Sequence, residues 1–137
     1  MHMTNSFMKH LEAEITFDSG IDLQAIQKIE SKFGFNLPND YKDIVKVLNG
    51  FELAISISYI VFWPVDVLIE LNEGYGVNEF APGIILFGSD GGNQAFGYDL
   101  RDDEMKIITI PFIVMDLNDI EICGKDMNDF YQYLLHD

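Results

Sequence analysis

Residues 26–42 read IQKIESKFGFNLPNDYK and carry the clearest structural signals in the chain. Leu23, Ile26, Ile29 and Phe33 recur at helical spacing, which predicts a helix with one apolar face. Gly34 can take the left-handed conformation that ends a helix, and Phe35 can then fold back onto that face. Pro38 suits the first turn of a second helix, where its missing N–H is not needed. We therefore expect a helical hairpin over residues 20–50.

Residues typical of helix starts and helix ends also lie at the outer ends of this hairpin. Either Asp22 acts as the N-cap of the first helix, or Ser19 and Asp22 form a capping box. The pair Asn49-Gly50 is predicted to end the second helix. The buried face of that helix is expected to consist of four residues: Tyr41, Ile44, Val45 and Leu48.

Upstream of the hairpin, the spacing of apolar residues predicts a short helix with Phe7, Met8, Leu11 and Ile15 on one side. Downstream of Gly50 the period changes. Apolar and small residues alternate over residues 53–59, which predicts a strand. Residues 61–63 either continue that strand or begin a second one before Pro64. A helix over residues 65–72 and a loop over 75–83 are predicted to follow.

The second half of the chain is predicted to be mostly strands. Residues 84–88 are almost all apolar, as in a buried central strand. A turn follows, with a positive φ at Gly91 or Gly92. Further strands are expected over 94–100 and 105–110, joined by an acidic turn at 101–104, and residues 112–115 could be a strand or buried coil.

The last segment, residues 126–136, has the spacing of a helix, with Met127, Phe130, Tyr131 and Leu134 on its inner face. The predicted fold class is therefore α+β: an N-terminal helical hairpin packed on a mostly antiparallel sheet, with a C-terminal helix. The length of 137 residues predicts a single domain over 1–137.

The charge balance excludes several kinds of partner. Eight basic and 23 acidic residues give a net charge of −15, which disfavours nucleic acid and anionic membranes as partners. The excess lies after residue 50, because no Lys or Arg occurs between Lys46 and Arg101. The longest uncharged apolar stretch, residues 53–65, is shorter than the roughly 18 residues that a membrane span needs.

Few residues suggest catalysis or metal binding. The three histidines, at positions 2, 10 and 136, lie near the chain ends, and His10 and His136 are expected at the surface. The single cysteine, Cys123, excludes an internal disulfide, favours a cytoplasmic location and is expected to be a small buried hydrophobe. The acidic turns lack the ligand spacing of a calcium loop, and the Gly91-Gly92 turn lacks the lysine and the following helix of a phosphate-binding loop. We predict no catalytic residue, cofactor or metal.

At this point a family resemblance can be stated. Residues 34–41 form the pattern Gly-x-x-Leu-Pro-x-x-Tyr, and Leu48-Asn49-Gly50 follows. Together with the strand and glycine turn at 84–93, the strand at 96–100 and the helix at 129–134, this order resembles the SUKH superfamily over about residues 22–135. The family commonly has a second glycine where this chain has Phe51, and residues 1–18 have no counterpart in it.

The resemblance implies a protein-binding module with no catalytic residue. The superfamily includes bacterial immunity proteins, which neutralise toxins, and fungal regulators of cell-wall synthesis, which suggest an intracellular regulatory scaffold as the alternative. It also implies that the shared residues Pro38, Gly50, Gly88, Gly91 and Gly92 position turns.

Combining the resemblance with the charge distribution, we expect an acidic face that binds a basic protein, such as a nuclease toxin. Its residues are predicted to be Asp66, Glu70, Glu73, Glu79, Asp99, Asp102, Asp103 and Glu104, with Tyr75 as an aromatic anchor. Trp63 is expected in the core, with a binding anchor as the alternative. The acids could instead only keep the domain soluble, and a deep pocket around Trp63 or Asp90 would indicate an enzyme or ligand-binding protein.

Overall fold

The computed structural model describes residues 6–17, 20, 21 and 23–136. Within them it has the predicted α+β architecture, with helices before, within and after an antiparallel sheet. The helices are α1 (Ser6–Glu14), α2 (Leu23–Phe33), α3 (Asn39–Val45), α4 (Leu68–Gly74), α5 (Val77–Phe80) and α6 (Met127–His136). The strands are β1 (Phe51–Ile55), β2 (Ser58–Phe62), β3 (Ile84–Ser89), β4 (Gln94–Asp99), β5 (Ile107–Pro111) and β6 (Glu121–Gly124).

The sheet is a meander in which the strands lie in chain order, β1-β2-β3-β4-β5-β6, and every neighbouring pair is antiparallel. All six residues of β3 are buried, which confirms the predicted central strand. Its pairing with β2 is short and covers only Val61↔Ser89 and Phe62↔Gly88. The rest of that edge of β3 is therefore left for another element to cover.

The prediction of one strand over residues 53–59 is wrong, because β1 and β2 form a hairpin there. Ile55 pairs with Ser58, and the chain turns at Ser56, whose φ is +57°. Ile57, at the tip, is 89% exposed. The alternation of side chains continues through the turn, and no glycine or proline marks it, so the pattern alone does not reveal the reversal.

An aromatic cluster holds the helices on one face of the sheet. Tyr41 of α3 lies 5.5 Å from Phe62 and 6.0 Å from Phe87, measured between ring centroids. Phe130 of α6 meets Phe87 edge-on at 5.9 Å. The predicted N-terminal helix is also present, and Phe7 in it stacks on Tyr131 of α6 at 5.2 Å.

The join between α2 and α3 confirms the central prediction. Gly34 has a φ of +74°, and the N–H groups of Gly34 and Phe35 both donate to the carbonyl of Glu30, at 2.9 and 3.3 Å. The Glu30 carboxylate accepts a hydrogen bond from the N–H of Leu37 at 2.7 Å and pairs with Lys42 at 3.1 Å. One glutamate thus links the end of α2 to the start of α3.

Some details of the hairpin differ from the prediction. Leu23, the first residue of the apolar stripe, is 59% exposed. The second helix ends at Val45 rather than at Asn49-Gly50, although Leu48 is still buried beyond it. The predicted caps at Ser19 and Asp22 lie outside the described residues.

Gly88 does not position a turn, contrary to the expectation from the resemblance, because it lies within β3. A Cβ at this position would be 2.3 Å from the carbonyl oxygen of Val61, so glycine allows β2 and β3 to approach. The following turn does require glycine, and Gly91 has the predicted positive φ, +82°.

Three other segments were mispredicted. The loop predicted over 75–83 contains the one-turn helix α5. Residues 112–115 form no strand, and the segment is only partly buried: Met115 is 7% exposed, whereas Ile113 and Val114 are 73% and 81% exposed. The strand β6 was not predicted, because four residues are too few for alternation to be recognised.

Candidate protein-interaction surface

The first group of predicted site residues lies along one side of α4 and the 3₁₀ turn before it. Asp66, Glu70 and Glu73 are spaced four and three residues apart, so they form a stripe on one side of the helix, and all three are exposed. This stripe borders α2. Lys28 lines the same groove as Asp66 and Glu70, and the Nζ of Lys32 lies 3.4 Å from a carboxylate oxygen of Glu73. Lysines of α2 thus partly offset the charge of the stripe.

The second group lies at the tip of the β4–β5 hairpin. The Asp99 carboxylate accepts two hydrogen bonds from the Arg101 guanidinium, both at 2.9 Å, and these hold the pKa of Asp99 below its usual value. Glu104 pairs with Lys106. Asp102 and Asp103 are exposed between these two pairs.

A cleft of about 400 Å³ lies between α4 and the β4–β5 hairpin. Glu73 and Lys32 lie on one side of it, and Leu100, next to the hairpin tip, lies on the other. The hairpin is held in place by a hydrogen bond of 2.7 Å from the N–H of Leu100 to the carbonyl of Gly83. Of the eight predicted acids, Glu73 alone lines this cleft, and the β4–β5 hairpin reaches it through Leu100.

Glu79 lies on α5 and is exposed. No ion pair is found for it among the described residues, and the same holds for Asp66, Glu70, Asp102 and Asp103. Five of the eight predicted acids thus have no ion-pair partner there, while Glu73, Asp99 and Glu104 are paired. The negative charge of this surface is smaller than the sequence suggests.

The predicted anchor, Tyr75, faces away from the α4 stripe. Tyr75 is the C-cap of α4 with helical φ and ψ, and at 100° per residue it lies about 200° around the helix axis from Glu73. Its ring stacks on Trp63 at 6.0 Å and contacts Phe112 at 4.6 Å, and the side chain is 42% exposed. Trp63 is only 8% exposed, which confirms its prediction as core. Tyr75 is thus the outer ring of a supported aromatic cluster, on another side of α4 from the acids.

Next to this cluster lie two exposed apolar residues that the sequence reasoning missed, Ile113 and Val114. They follow directly on Phe112, and Val114 has a φ of +54°, which is a strained conformation for a β-branched residue. Their apolar character favoured burial in the prediction. The Pro111 that precedes the segment was the one signal against a continuing strand.

The cysteine and histidine considered as candidates for catalysis or metal binding are packed or hydrogen-bonded within the fold. Cys123 is buried as predicted, at 5% exposure. His10 is half-buried rather than at the surface, and its Nδ1 lies 2.8 Å from the hydroxyl of Tyr131. Across the described parts of the chain, no group of three or more His, Cys, Asp or Glu side chains is placed to hold a metal ion. Within those same parts, no helix is both long and apolar enough to cross a membrane.

Together, these features define an α+β domain that presents charged and aromatic groups on open surfaces. Of the two positions around which a deep pocket would indicate an enzyme, Trp63 is packed in the core and Asp90 borders an open hollow of about 330 Å³. The chain belongs to the SMI1/KNR4 family (SUKH-1), whose sequence model matches residues 20–135. This is generally a family of non-enzymatic proteins that bind protein partners. Among curated proteins, none matches the chain significantly. The matched range begins after α1, which packs on α6.

Proposed function

We propose that this protein is an immunity protein that binds a basic toxin domain and neutralises it in the cytoplasm of the cell that makes both. In this proposal residues 1–137 act as one domain, and the partner is a protein rather than a nucleic acid or a membrane. The observation that carries the proposal is the set of exposed acids on the 3₁₀ turn, α4, α5 and the hairpin tip. Five of them have no ion-pair partner among the described residues: Asp66, Glu70, Glu79, Asp102 and Asp103.

The mechanism follows from charge. A nuclease toxin needs a basic cleft for the phosphates of its substrate. Carboxylates on a rigid surface can occupy such a cleft in place of phosphates and exclude the substrate. Complementary charge also accelerates association above the neutral rate of about 10⁵–10⁶ M⁻¹s⁻¹. In this role Tyr75 supplies an aromatic contact on another side of α4 from the charged stripe.

Co-expression tests the proposal. Each toxin-like domain encoded by a gene that neighbours this one is expressed in a bacterial host with and without the protein, and for one of them growth is expected only when the protein is present. The purified pair is expected to associate more slowly as salt is raised, because salt screens exposed charges.

A pair of matched variants locates the surface. Glu70→Gln with Glu79→Gln removes two charges from the proposed face, and Glu12→Gln with Glu14→Gln removes two exposed charges from α1. The first pair is expected to slow association more than the second. No rescue from any neighbouring toxin, or association that is indifferent to salt, would contradict the proposal. Capture of a housekeeping protein instead of a toxin would favour the regulatory scaffold.

A further inference from the structure

A second groove, on a different part of the molecule from the α4–hairpin cleft, crosses the ends of β4 and β5. It consists of two hollows of about 330 and 590 Å³ that share Gln94, Thr109 and Tyr133. The β1–β2 hairpin tip with Ile57 borders one hollow, and the segment 118–121 borders the other. The hollows have the size of ligand pockets, about 300–1,000 Å³, but they are open along their length. An open groove suits a segment of a larger partner better than a small molecule.

The charge of this groove is uncompensated. Asp90, Asp119 and Glu121 contribute carboxylates to its lining. Glu121 is directly opposite Thr109 in the β5–β6 register, so the two side chains lie on the same face of the sheet. None of the lining side chains, all in the described part of the chain, is Lys or Arg. The α4 stripe and the hairpin tip, in contrast, each lie next to basic residues.

The floor and rim of the groove fit an extended chain. The hydroxyl of Thr109 lies 3.1 Å from Oε1 of Gln94 and 3.0 Å from the carbonyl oxygen of Ala95. The Gln94 amide carries both an acceptor and donors, which can pair with the backbone of a segment in the groove. The rim includes Ile57, which is 89% exposed. A large apolar side chain held at this exposure on a hairpin tip is available to contact the apolar part of a bound segment.

We propose that this groove binds an extended segment of the protein partner that carries Lys or Arg side chains. The carboxylates receive the cationic side chains, Gln94 contacts the backbone, and Ile57 packs against the segment's edge. The inference rests on the proposed function for the basic character of the partner, and it adds which part of the partner binds and where.

A peptide titration tests the inference on the full chain. The probe is a fluorescein-labelled Lys-Thr-Lys-Thr-Lys peptide, followed by fluorescence anisotropy at about 0.15 M ionic strength, where the Debye length is about 8 Å. Asp119→Asn with Glu121→Gln removes two charges from the groove, and Glu12→Gln with Glu14→Gln removes the same two charges from α1. Asp90 is kept, because its carboxylate accepts hydrogen bonds from the N–H groups of Gly92 and Gln94 in the turn.

We expect the groove pair to weaken peptide binding about tenfold and the α1 pair less than about twofold, since only close charges escape screening. In amide NMR spectra, the peptide is expected to shift the signals of Gln94 and Thr109. Equal losses in both pairs would mean binding by the general field of an acidic protein and would overturn the inference. No loss in the groove pair would overturn it too.

The outcome is separable from the test of the proposed function. If the protein protects cells from no toxin but shows the expected peptide result, the groove proposal stands and the immunity role is excluded. If the protein rescues growth but the Asp119→Asn, Glu121→Gln variant binds the peptide like the unmodified protein, the immunity role stands and the groove proposal is excluded. Thermal unfolding of every variant shows whether it is folded before binding is compared.

Discussion

The side-chain amide of Asn72 forms hydrogen bonds with both backbone groups of Leu86, accepting from its N–H at 2.8 Å and donating to its carbonyl at 3.0 Å. It also donates to the carbonyl of Leu68, at 2.8 Å. Because β2 pairs with β3 only at the far end of that strand, this part of the β3 edge has no strand beside it. Asn72 takes the place of a strand and fixes α4 against the sheet, which positions the acidic stripe on one side of α4 and Tyr75 on another.

Asn72→Ala is therefore expected to lower the free energy of unfolding by about 3 kcal/mol, because each buried backbone group left without a partner costs about 1–3 kcal/mol. Urea unfolding measures the change. Asn78→Ala, at an exposed position of α5, is the matched control and is expected to change stability by less than about 0.5 kcal/mol. Equal effects of the two substitutions would show that Asn72 does not hold α4.

What the sequence predicted well were elements whose signal is local. The period of α2 and α6, the left-handed Gly34 and the apolar run of β3 each involve residues close in the chain. What it did not predict depends on tertiary contacts. The chain reverses at Ser56, which has a positive φ although it is not a glycine. Lys32 pairs with Glu73 only because α2 lies beside α4 in the fold. Because such partners are distant in the sequence, the sequence alone predicts one uniform acidic face.

The core contains two buried tyrosine hydroxyls, and substituting one of them separates the contribution of ring packing from that of hydrogen bonding. The rings of Tyr41 and Tyr98 meet edge-on at 6.1 Å, and neither hydroxyl has a hydrogen-bond partner among the described residues. Burial raises the pKa of Tyr98 well above its usual value. Tyr98→Phe removes a desolvated polar group without changing the shape of the ring, so we expect the free energy of unfolding to rise by about 1 kcal/mol.

Tyr131→Phe provides the comparison, since its hydroxyl does have a partner, His10. This substitution is expected to lower the free energy of unfolding by about 1 kcal/mol. Opposite signs for the two variants are the expected result in urea unfolding at neutral pH. A loss of stability in Tyr98→Phe as large as that in Tyr131→Phe would mean that the Tyr98 hydroxyl is satisfied in solution.

The Asp99–Arg101 pair predicts a specific pH dependence. The hydrogen bonds from Arg101 lower the pKa of Asp99 in the folded protein, so the folded state favours the charged carboxylate more than the unfolded state does. This contribution is fully present above the unfolded pKa of 3.8 and is lost as the pH falls through the lowered folded value. Asp99→Asn removes it at every pH.

The difference in unfolding free energy between the unmodified protein and Asp99→Asn should therefore be largest near neutral pH and shrink in acid. We expect about 0.5–1 kcal/mol at pH 7, because the Arg101 side chain is 45% exposed and the pair is partly screened. Urea unfolding from neutral to acidic pH measures it. A difference that grows on acidification would contradict the sign of the Asp99 pKa shift.

Tyr75 tests whether binding depends on an aromatic contact as well as on charge. Its ring is exposed on one side and supported by Trp63 and Phe112 on the other, so little side-chain freedom is lost when a partner covers it. Tyr75→Ala is expected to weaken toxin binding by about 2 kcal/mol, roughly thirtyfold in Kd. Tyr75→Phe keeps the stacking and is expected to bind nearly normally, as is Leu23→Ala, which truncates another exposed apolar residue.

The binding rates separate the aromatic contribution from the charge contribution, because loss of a packed contact raises the dissociation rate whereas loss of charge lowers the association rate. A Tyr75→Ala variant that is folded and has an unchanged dissociation rate would exclude Tyr75 from the interface and leave charge as the main source of recognition.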